Sequence, residues 1–150
     1  MNLQDTLTEL FWKHLIAAHP ERIFSLDKNY SVNQYLKETI QGLAPELEQW
    51  KSQGKSSRTI ISLAFAHFKE GLGPSRYLYL EELLQQEFST IYQQLQQSGT
   101  LTYELVKMIG AANHVFEAIG FSSVSSNSKR LRKHLIAFLA DYLHQSSQSL

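Results

Sequence analysis

The residues with the clearest chemistry form a basic cluster near the C-terminal end of the chain. Five of six consecutive side chains carry or can carry a positive charge, namely Lys129, Arg130, Arg132, Lys133 and His134. Lysine and arginine side chains bind phosphate groups, and free backbone amides at the start of a helix add donors for an anion. One interpretation is therefore a site for nucleic acid or another polyanion, with Ser126, Asn127 or Ser128 as further donors.

A solvated helix face is the other interpretation of this cluster. The 14 basic and 14 acidic residues give a net charge of zero, so no overall field attracts nucleic acid or an anionic membrane. The cluster lacks the interleaved aromatic residues on which single-strand binding proteins stack bases. Its cations could instead pair with Glu81, Glu82, Glu87 or another acidic residue of the fold. Exposed cations at a helix start nevertheless oppose the macrodipole by about 0.3 to 1 kcal/mol each, so stability alone does not explain them.

Two histidine–glutamate pairs have a spacing that could contribute to a metal site. His67 and Glu70, like His114 and Glu117, are three residues apart, which places each pair on one face of a helix. The helical di-iron pattern has the opposite order, with glutamate first, and the HExxH motif is absent. Local hydrogen bonds or ion pairs are therefore the preferred interpretation. The sequence predicts no metal and no cofactor.

Two further histidines have structural explanations. His14 lies on the apolar side of the first predicted helix, and His19 lies at its end, where a histidine interacts favourably with the helix dipole. The chain has no cysteine, which excludes disulfides, thiolate metal sites and a cysteine nucleophile. No nucleophile elbow, Walker loop or dinucleotide fingerprint is present. The sequence predicts a protein that is not an enzyme.

Helical periodicity dominates the sequence, because apolar residues recur three or four positions apart along most of the chain. The pattern predicts an all-α protein, a multihelical bundle of about six helices with short links. The predicted helices cover roughly residues 3–18, 31–53, 56–71, 75–97, 100–119 and 129–145. Residues 21–30 are expected to form a packed loop or a single turn. Pro45 is expected either to kink the second helix or to split it.

The length and composition indicate one domain. A chain of 150 residues with 43% hydrophobic and 19% charged residues is typical of a soluble globular protein. We expect a single helical domain over residues 1–145 and a frayed polar tail over 146–150, with a flexible serine-rich linker over 122–128. Gly71, Pro74 and Ser75 predict the end of one helix and the start of the next, and hence a central helix hairpin.

Several aromatic residues could anchor a partner, because interfaces favour amphipathic aromatic side chains. These are Trp12, Trp50, Tyr77, Tyr79, Tyr92 and Tyr103. Core packing is the commoner use, but Tyr77 and Tyr79 lie on roughly opposite sides of one helix, so one of them should lie outside the core. Tyr79 with Gln86 and Gln93 of the glutamine-rich face makes a candidate interaction surface. We therefore expect an interaction module that binds a protein partner or itself as a homodimer, with polyanion binding as the alternative.

The N-terminal residues show no basic stretch followed by an apolar core, so no secretory signal is visible. No apolar run approaches the roughly 20 residues that span a bilayer. A cytoplasmic location without a membrane partner is the expectation.

A family resemblance covers residues 10–142 and rests on five short motifs. They are Ala18-His19-Pro20-Glu21, Glu70-Gly71-Leu72 followed by Ser75-Arg76-Tyr77, Glu87-Phe88, Val115-Phe116-Glu117, and Phe138-Leu139-Ala140-Asp141-Tyr142-Leu143. In this order they resemble a family of small all-helical Bacteroidetes proteins of unknown function, often associated with mobile genetic elements. The resemblance implies an all-helical single domain. It supplies no catalytic residues, because none are established for that family.

Overall fold

The structure, a computed structural model, describes residues 2–26, 30–122 and 128–148, and the secondary structure within these ranges is helical throughout. The nine helices of these ranges are α1 (Leu3–Ala18), α2 (Pro20–Phe24), α3 (Val32–Gly42), α4 (Ala44–Ser52), α5 (Ser57–Leu72), α6 (Arg76–Glu87), α7 (Ser89–Ser98), α8 (Leu101–Ile119) and α9 (Lys129–Gln148). The all-α prediction is confirmed. The predicted count of about six helices is too low, because three segments of the chain differ from the prediction.

The first two differences come from prolines. α2 is a short helix in the segment that was predicted as a loop or single turn, and Pro20 occupies its first position. Proline suits that position because its fixed φ is helical and its missing N–H is not needed there. Pro45 splits the second predicted helix: α3 ends at Gly42, and α4 begins at Ala44. The alternative of a kink in one continuous helix is therefore wrong.

The third difference lies at Phe88, where the predicted helix over 75–97 divides into α6 and α7. Phe88 has a φ of −137° and a ψ of 51°, outside the helical region, and its N–H donates to the carbonyl of Leu84 at 2.8 Å. Phe88, Tyr92 and Leu95 all still pack against the same core. The apolar spacing continues unbroken across this point, which is why periodicity alone predicted one helix.

The contacts of the chain gather in two compact units, Met1–Gly73 and Pro74–Leu150. The prediction of one domain over residues 1–145 and that of a central hairpin both extend across Gly73 and Pro74, and both stay predictions. Most of the serine-rich linker, residues 123–127, and positions 149–150 of the tail lie outside the described residues. Among the helices that are described, none is long and apolar enough to span a membrane.

Unit Met1–Gly73 is built around α1, which packs against α5 and α3. Its buried side chains include Leu7, Phe11, Leu15, Leu36, Ile40, Ile60, Ala64 and Phe68. The rings of Phe11 and Phe68 stack with their centroids 4.0 Å apart and an angle of 3° between their planes. This stack fixes α5 against α1 at the centre of the unit.

Unit Pro74–Leu150 is built from α6, α8 and α9, with α7 along the edge of its core. The buried side chains include Leu80, Leu84, Leu105, Met108, Ala112, Phe116, Leu131, Leu135 and Leu139. Leu131, Leu135 and Leu139 recur at helical spacing, so they fix the inward face of α9. That orientation determines where the basic residues at the start of α9 point.

Candidate functional site

The basic cluster occupies the first two turns of α9. The hydroxyl oxygen of Ser128 accepts a hydrogen bond from the N–H of Leu131 at 3.2 Å, so this serine caps the helix. Its oxygen is therefore already engaged in the fold. Ser126 and Asn127, the other two donors proposed for an anion, lie outside the described residues.

Arg132 is the member of the cluster that forms an ion pair with a described carboxylate. Its Nη2 lies 2.6 Å from Oε1 of Glu87, with 36% and 40% of the two side chains exposed. Glu87 was one of three glutamates named as partners for the cluster. Exposed pairs of this kind contribute about 0.2 to 1 kcal/mol. The charge of Arg132 is thus largely compensated inside its own unit.

Lys129, Arg130 and Lys133 are exposed, and none of the described carboxylates lies within 4.0 Å of them. Lys129 and Lys133 are four residues apart and so share the outer face of α9. His134 is exposed as well, and its Nδ1 donates to the carbonyl of Arg130 at 2.8 Å. The start of α9 therefore presents three uncompensated cations to solvent, against the helix dipole.

The two histidine–glutamate pairs lie on exposed helix surfaces in different units. In the part of the chain that the structure describes, neither His67 and Glu70 nor His114 and Glu117 are joined by a hydrogen bond or an ion pair. His114 instead places its ring against Phe138, with the centroids 5.4 Å apart. Over the same residues no group of three His, Asp or Glu side chains is arranged to hold a metal ion.

His14 and His19 meet at the C-terminal end of α1. The backbone N–H of His19 donates to the carbonyl of Leu15 at 2.9 Å, which caps the helix, and the residue is only 2% exposed. Its Nδ1 lies 3.6 Å from Oε1 of Glu21. The His14 ring lies 5.4 Å from that of His19 and meets Phe65 edge-on. Both histidines are thus packed into the fold at a helix end.

Burial lowers the pKa of His14 below its usual 6.5, and the nearby His19 and Lys69 lower it further. The folded state therefore favours the neutral imidazole more than the unfolded state does. The stability that this contributes is present above the unfolded pKa, and it is lost as the pH falls through that value towards the lower folded one.

The candidate interaction surface on α6 and α7 is less open than expected at its aromatic residue. Tyr77 is 6% exposed and lies in the core. Tyr79 is half-buried at the edge of the core, where its ring meets Phe116 and Phe121 edge-on at centroid distances of 6.1 and 5.3 Å. Burial raises the pKa of Tyr79. Tyr79 is therefore a packing residue with one accessible side.

The two glutamines of the same surface are exposed. Gln86 on α6 donates from Nε2 to Oε1 of Glu82 at 3.1 Å. Gln93 lies on α7, beyond the break at Phe88. The three residues predicted to form one surface on one helix thus lie on two helices.

The outer face of α1 contains one of the predicted aromatic anchors, Trp12. We call it the α1 face and define it as Glu9, Trp12, Lys13 and Ile16, of which only Trp12 was singled out from the sequence. Trp12 and Ile16 are 37% and 47% exposed. Glu9 and Lys13 form an ion pair of 3.0 Å between Oε1 and Nζ. The signal was present in the sequence, because Trp12 and Ile16 share a four-residue spacing that is out of phase with the buried Leu7, Phe11 and Leu15.

Beside this face runs a groove of about 470 Å³ between α1 and the start of α3, which we call the α1 groove. It is lined by Asp5, Thr8, Glu9, Trp12, Ser31, Val32, Asn33 and Leu36. Apolar surface from Trp12, Val32 and Leu36 is thus bordered by polar and acidic side chains. The groove lies entirely within unit Met1–Gly73.

Comparisons with known proteins add no relative to these observations. No protein-family model matches the chain, and neither a curated protein nor a solved structure shows significant similarity to it. The family resemblance of the five sequence motifs therefore stays an expectation.

Proposed function

We propose that this protein is a non-enzymatic, cytoplasmic helical interaction module that associates with a second copy of itself through the α1 face. The observation that carries the proposal is the exposure of Trp12 and Ile16 one helical turn apart. Tryptophan is among the residues that contribute most to interface energies, because it buries a large area at little cost in rotamer entropy. An exposed tryptophan beside an exposed isoleucine is a typical interface centre.

The charges of the α1 face favour a second copy as the partner. A two-fold interface brings the same surface patch of both subunits together, so that patch must be complementary to itself. Glu9 and Lys13 carry opposite charges and form a row beside the apolar pair. When two α1 helices pack in antiparallel directions, Glu9 of one copy can pair with Lys13 of the other. The α1 groove then offers Val32 and Leu36 as an apolar floor for the side chains of the second copy.

The test is the molar mass in solution, measured by light scattering from about 1 µM to about 1 mM, the range in which weak self-association is populated. We expect the mass to rise from that of one 17.2 kDa chain towards twice that value. Ile16→Glu should shift the midpoint by at least about tenfold in concentration, because it places a charge in the apolar centre of the interface.

Phe24→Glu provides the matched control, because Phe24 is 64% exposed in the same unit but lies outside the α1 face. Circular dichroism should show unchanged helicity for both variants. A mass of one chain over the whole range would contradict self-association. An equal effect of Phe24→Glu would contradict the role of the α1 face.

Polyanion binding is a second candidate function, and the three uncompensated cations of α9 favour it. Lys129, Arg130 and Lys133 are exposed without a carboxylate partner among the described residues, although their position opposes the helix dipole. An anionic ligand such as nucleic acid would explain why cations occupy a position that is unfavourable for the helix dipole. Arg132 has a smaller part in this proposal than in the prediction from sequence, because it pairs with Glu87.

Fluorescence anisotropy with single- and double-stranded DNA tests this candidate. With about three phosphates neutralised, the affinity should fall about twentyfold between roughly 0.05 and 0.15 M salt. Replacing both Arg130 and Lys133 by glutamate should abolish binding, whereas Arg132→Gln should have a smaller effect. An unchanged anisotropy at low salt, or an affinity independent of salt, would contradict a polyanion site.

A further inference from the structure

We propose that a second cavity of unit Met1–Gly73 binds a small organic anion, a carboxylate that carries an apolar body. The cavity has a volume of about 340 Å³, within the range of small-molecule sites. Its walls come from α2, α3 and α5 and from Leu43 between α3 and α4. The site is separate from the α1 face and does not depend on the function proposed for that face.

Arg22 supplies the charge of this site. Its Nη2 donates to the carbonyl oxygen of Leu72 at 3.2 Å, at the C-terminal end of α5. This bond holds the guanidinium in place without neutralising it, because a carbonyl carries no net charge. None of the carboxylates in the described ranges lies within 4.0 Å of Arg22. The other N–H groups of the guanidinium can therefore bind a carboxylate, whose two oxygens match the planar fork.

The other lining residues determine what kind of anion fits. His67 and Tyr35 line the same cavity and can donate to further polar atoms of a ligand. Leu43, Phe68 and Leu72 are 5%, 5% and 9% exposed and form a preformed apolar wall. The small part of this wall that faces the cavity would stay in contact with water beside an inorganic anion, whereas an apolar body attached to a carboxylate would cover it. The charge of Arg22 together with the apolar wall favours an amphiphilic ligand, with one charged group and an apolar body.

Two glycines line this cavity at positions where neither a positive φ nor close packing requires glycine. Gly42 and Gly71 lie within α3 and α5, and neither is among the glycines with positive φ. A methyl group added at either would meet no atom within 4 Å. Glycine inside a helix is less stable than alanine, so neither backbone geometry nor packing accounts for these residues. Both line the cavity, and we infer that the missing side chains keep it open.

A smaller neighbouring cavity of about 120 Å³ gives the ligand room to extend. It shares Arg22 and Tyr35 with the first cavity, and Leu15, Ile23 and Leu26 add apolar surface. The guanidinium thus borders two apolar spaces. A flexible aliphatic chain can occupy them better than a bulky rigid ring system can.

Octanoate is the probe for a first test, with octanamide as its uncharged analogue and the full chain as the protein. In amide NMR spectra, octanoate should shift the signals of Gly42, Gly71 and the Arg22 side chain in a saturable way, and leave Gly110 unchanged. Octanamide should bind at least about tenfold more weakly, because it lacks the charge that pairs with Arg22. Arg22→Gln should weaken octanoate binding by a similar factor and leave octanamide binding unchanged.

The glycines allow a second test with a matched control. Gly42→Ala and Gly71→Ala should raise the melting temperature, because both positions are helical and unhindered, yet they should weaken octanoate binding. Gly110 is also helical and unhindered, but it lies in α8, outside this cavity. Gly110→Ala should therefore raise the melting temperature with no effect on binding.

Three results would overturn the proposal. They are equal affinities for octanoate and octanamide, undiminished octanoate binding in the Gly42→Ala and Gly71→Ala variants, and shifts that reach Gly110 as strongly as Gly42. Self-association by light scattering is measured without octanoate. A failure of this site is therefore distinguishable from a failure of the α1 face.

Discussion

Replacing Phe11 by alanine is expected to lower the free energy of unfolding by about 3 to 5 kcal/mol. Phe11 is 0% exposed and stacks on Phe68 at 4.0 Å. Its ring also lies 6.3 Å from that of Phe65, so its removal leaves a cavity between α1 and α5. The loss combines the transfer free energy of the ring with the contacts that its neighbours no longer make. Urea unfolding followed by fluorescence and circular dichroism measures it.

Phe24→Ala is the control for this variant, because it deletes the same atoms from a side chain that is 64% exposed. It should change the stability by less than about 0.5 kcal/mol. Both tryptophans, Trp12 and Trp50, lie in unit Met1–Gly73, so fluorescence reports on that unit and circular dichroism on all helices. The prediction of one domain requires the two signals to change together in Phe11→Ala. A separate, later transition in circular dichroism would contradict it.

The helical class and most helix ends could be predicted because they depend on neighbouring residues. Ser31, Ser56 and Ser75 each accept a hydrogen bond from the backbone N–H three residues later, as expected of capping serines. Gly99 and Gly120 follow the ends of α7 and α8 with φ values of 77° and 96°, which glycine adopts without strain. Capping serines and terminal glycines act over three or four residues, so they can be recognised in a single sequence.

The break at Phe88 could not be predicted, because nothing local requires it. The residues on either side continue the apolar spacing, and no proline or glycine lies between Leu84 and Leu95. The backbone of Phe88 leaves the helical region while its side chain remains packed on the core. Packing within the unit therefore overrides local propensity at this residue.

The same division between local and non-local information applies to the candidate sites. The exposure of Lys129 and Lys133 follows from the inward spacing of Leu131 and Leu135 on α9. The partner of Arg132 lies 45 residues earlier in the chain, so the sequence could name three glutamates but could not choose among them. A contact between residues that are far apart in the chain produces no periodic pattern in the sequence.

The organic-anion cavity was even harder to predict from the sequence, because its lining residues come from distant parts of the chain. The sequence pairs His67 with Glu70 by spacing, but no hydrogen bond or ion pair joins them among the described residues, and His67 lines the cavity with Arg22 and Tyr35. Because these residues are far apart in the chain, the sequence does not show that they line the same cavity. Gly71 has a local explanation as a helix end, and only the open space beside Gly42 and Gly71 shows that packing does not require glycine at either position.

Replacing Phe116 by alanine is the second change with a large expected effect, a loss of about 3 to 5 kcal/mol in the free energy of unfolding. Phe116 is 0% exposed in the core of unit Pro74–Leu150. Its ring lies 4.9 Å from that of Phe121, and the Arg76 guanidinium lies 5.1 Å above its centroid. The variant removes the core volume, the aromatic contacts and the cation–π contact together.

The consequences of Phe116→Ala should extend to Tyr79, because the Tyr79 ring packs edge-on against Phe116. Burial raises the pKa of Tyr79, so water entering the new cavity should bring that pKa closer to its usual value of 10.0. Absorbance titration of the tyrosines, together with urea unfolding, measures both effects. Tyr103→Ala is the control, since Tyr103 lies on the same helix but is 58% exposed, and it should leave stability within about 0.5 kcal/mol. Equal destabilisation by the two variants would contradict the role of Phe116 as the centre of this core.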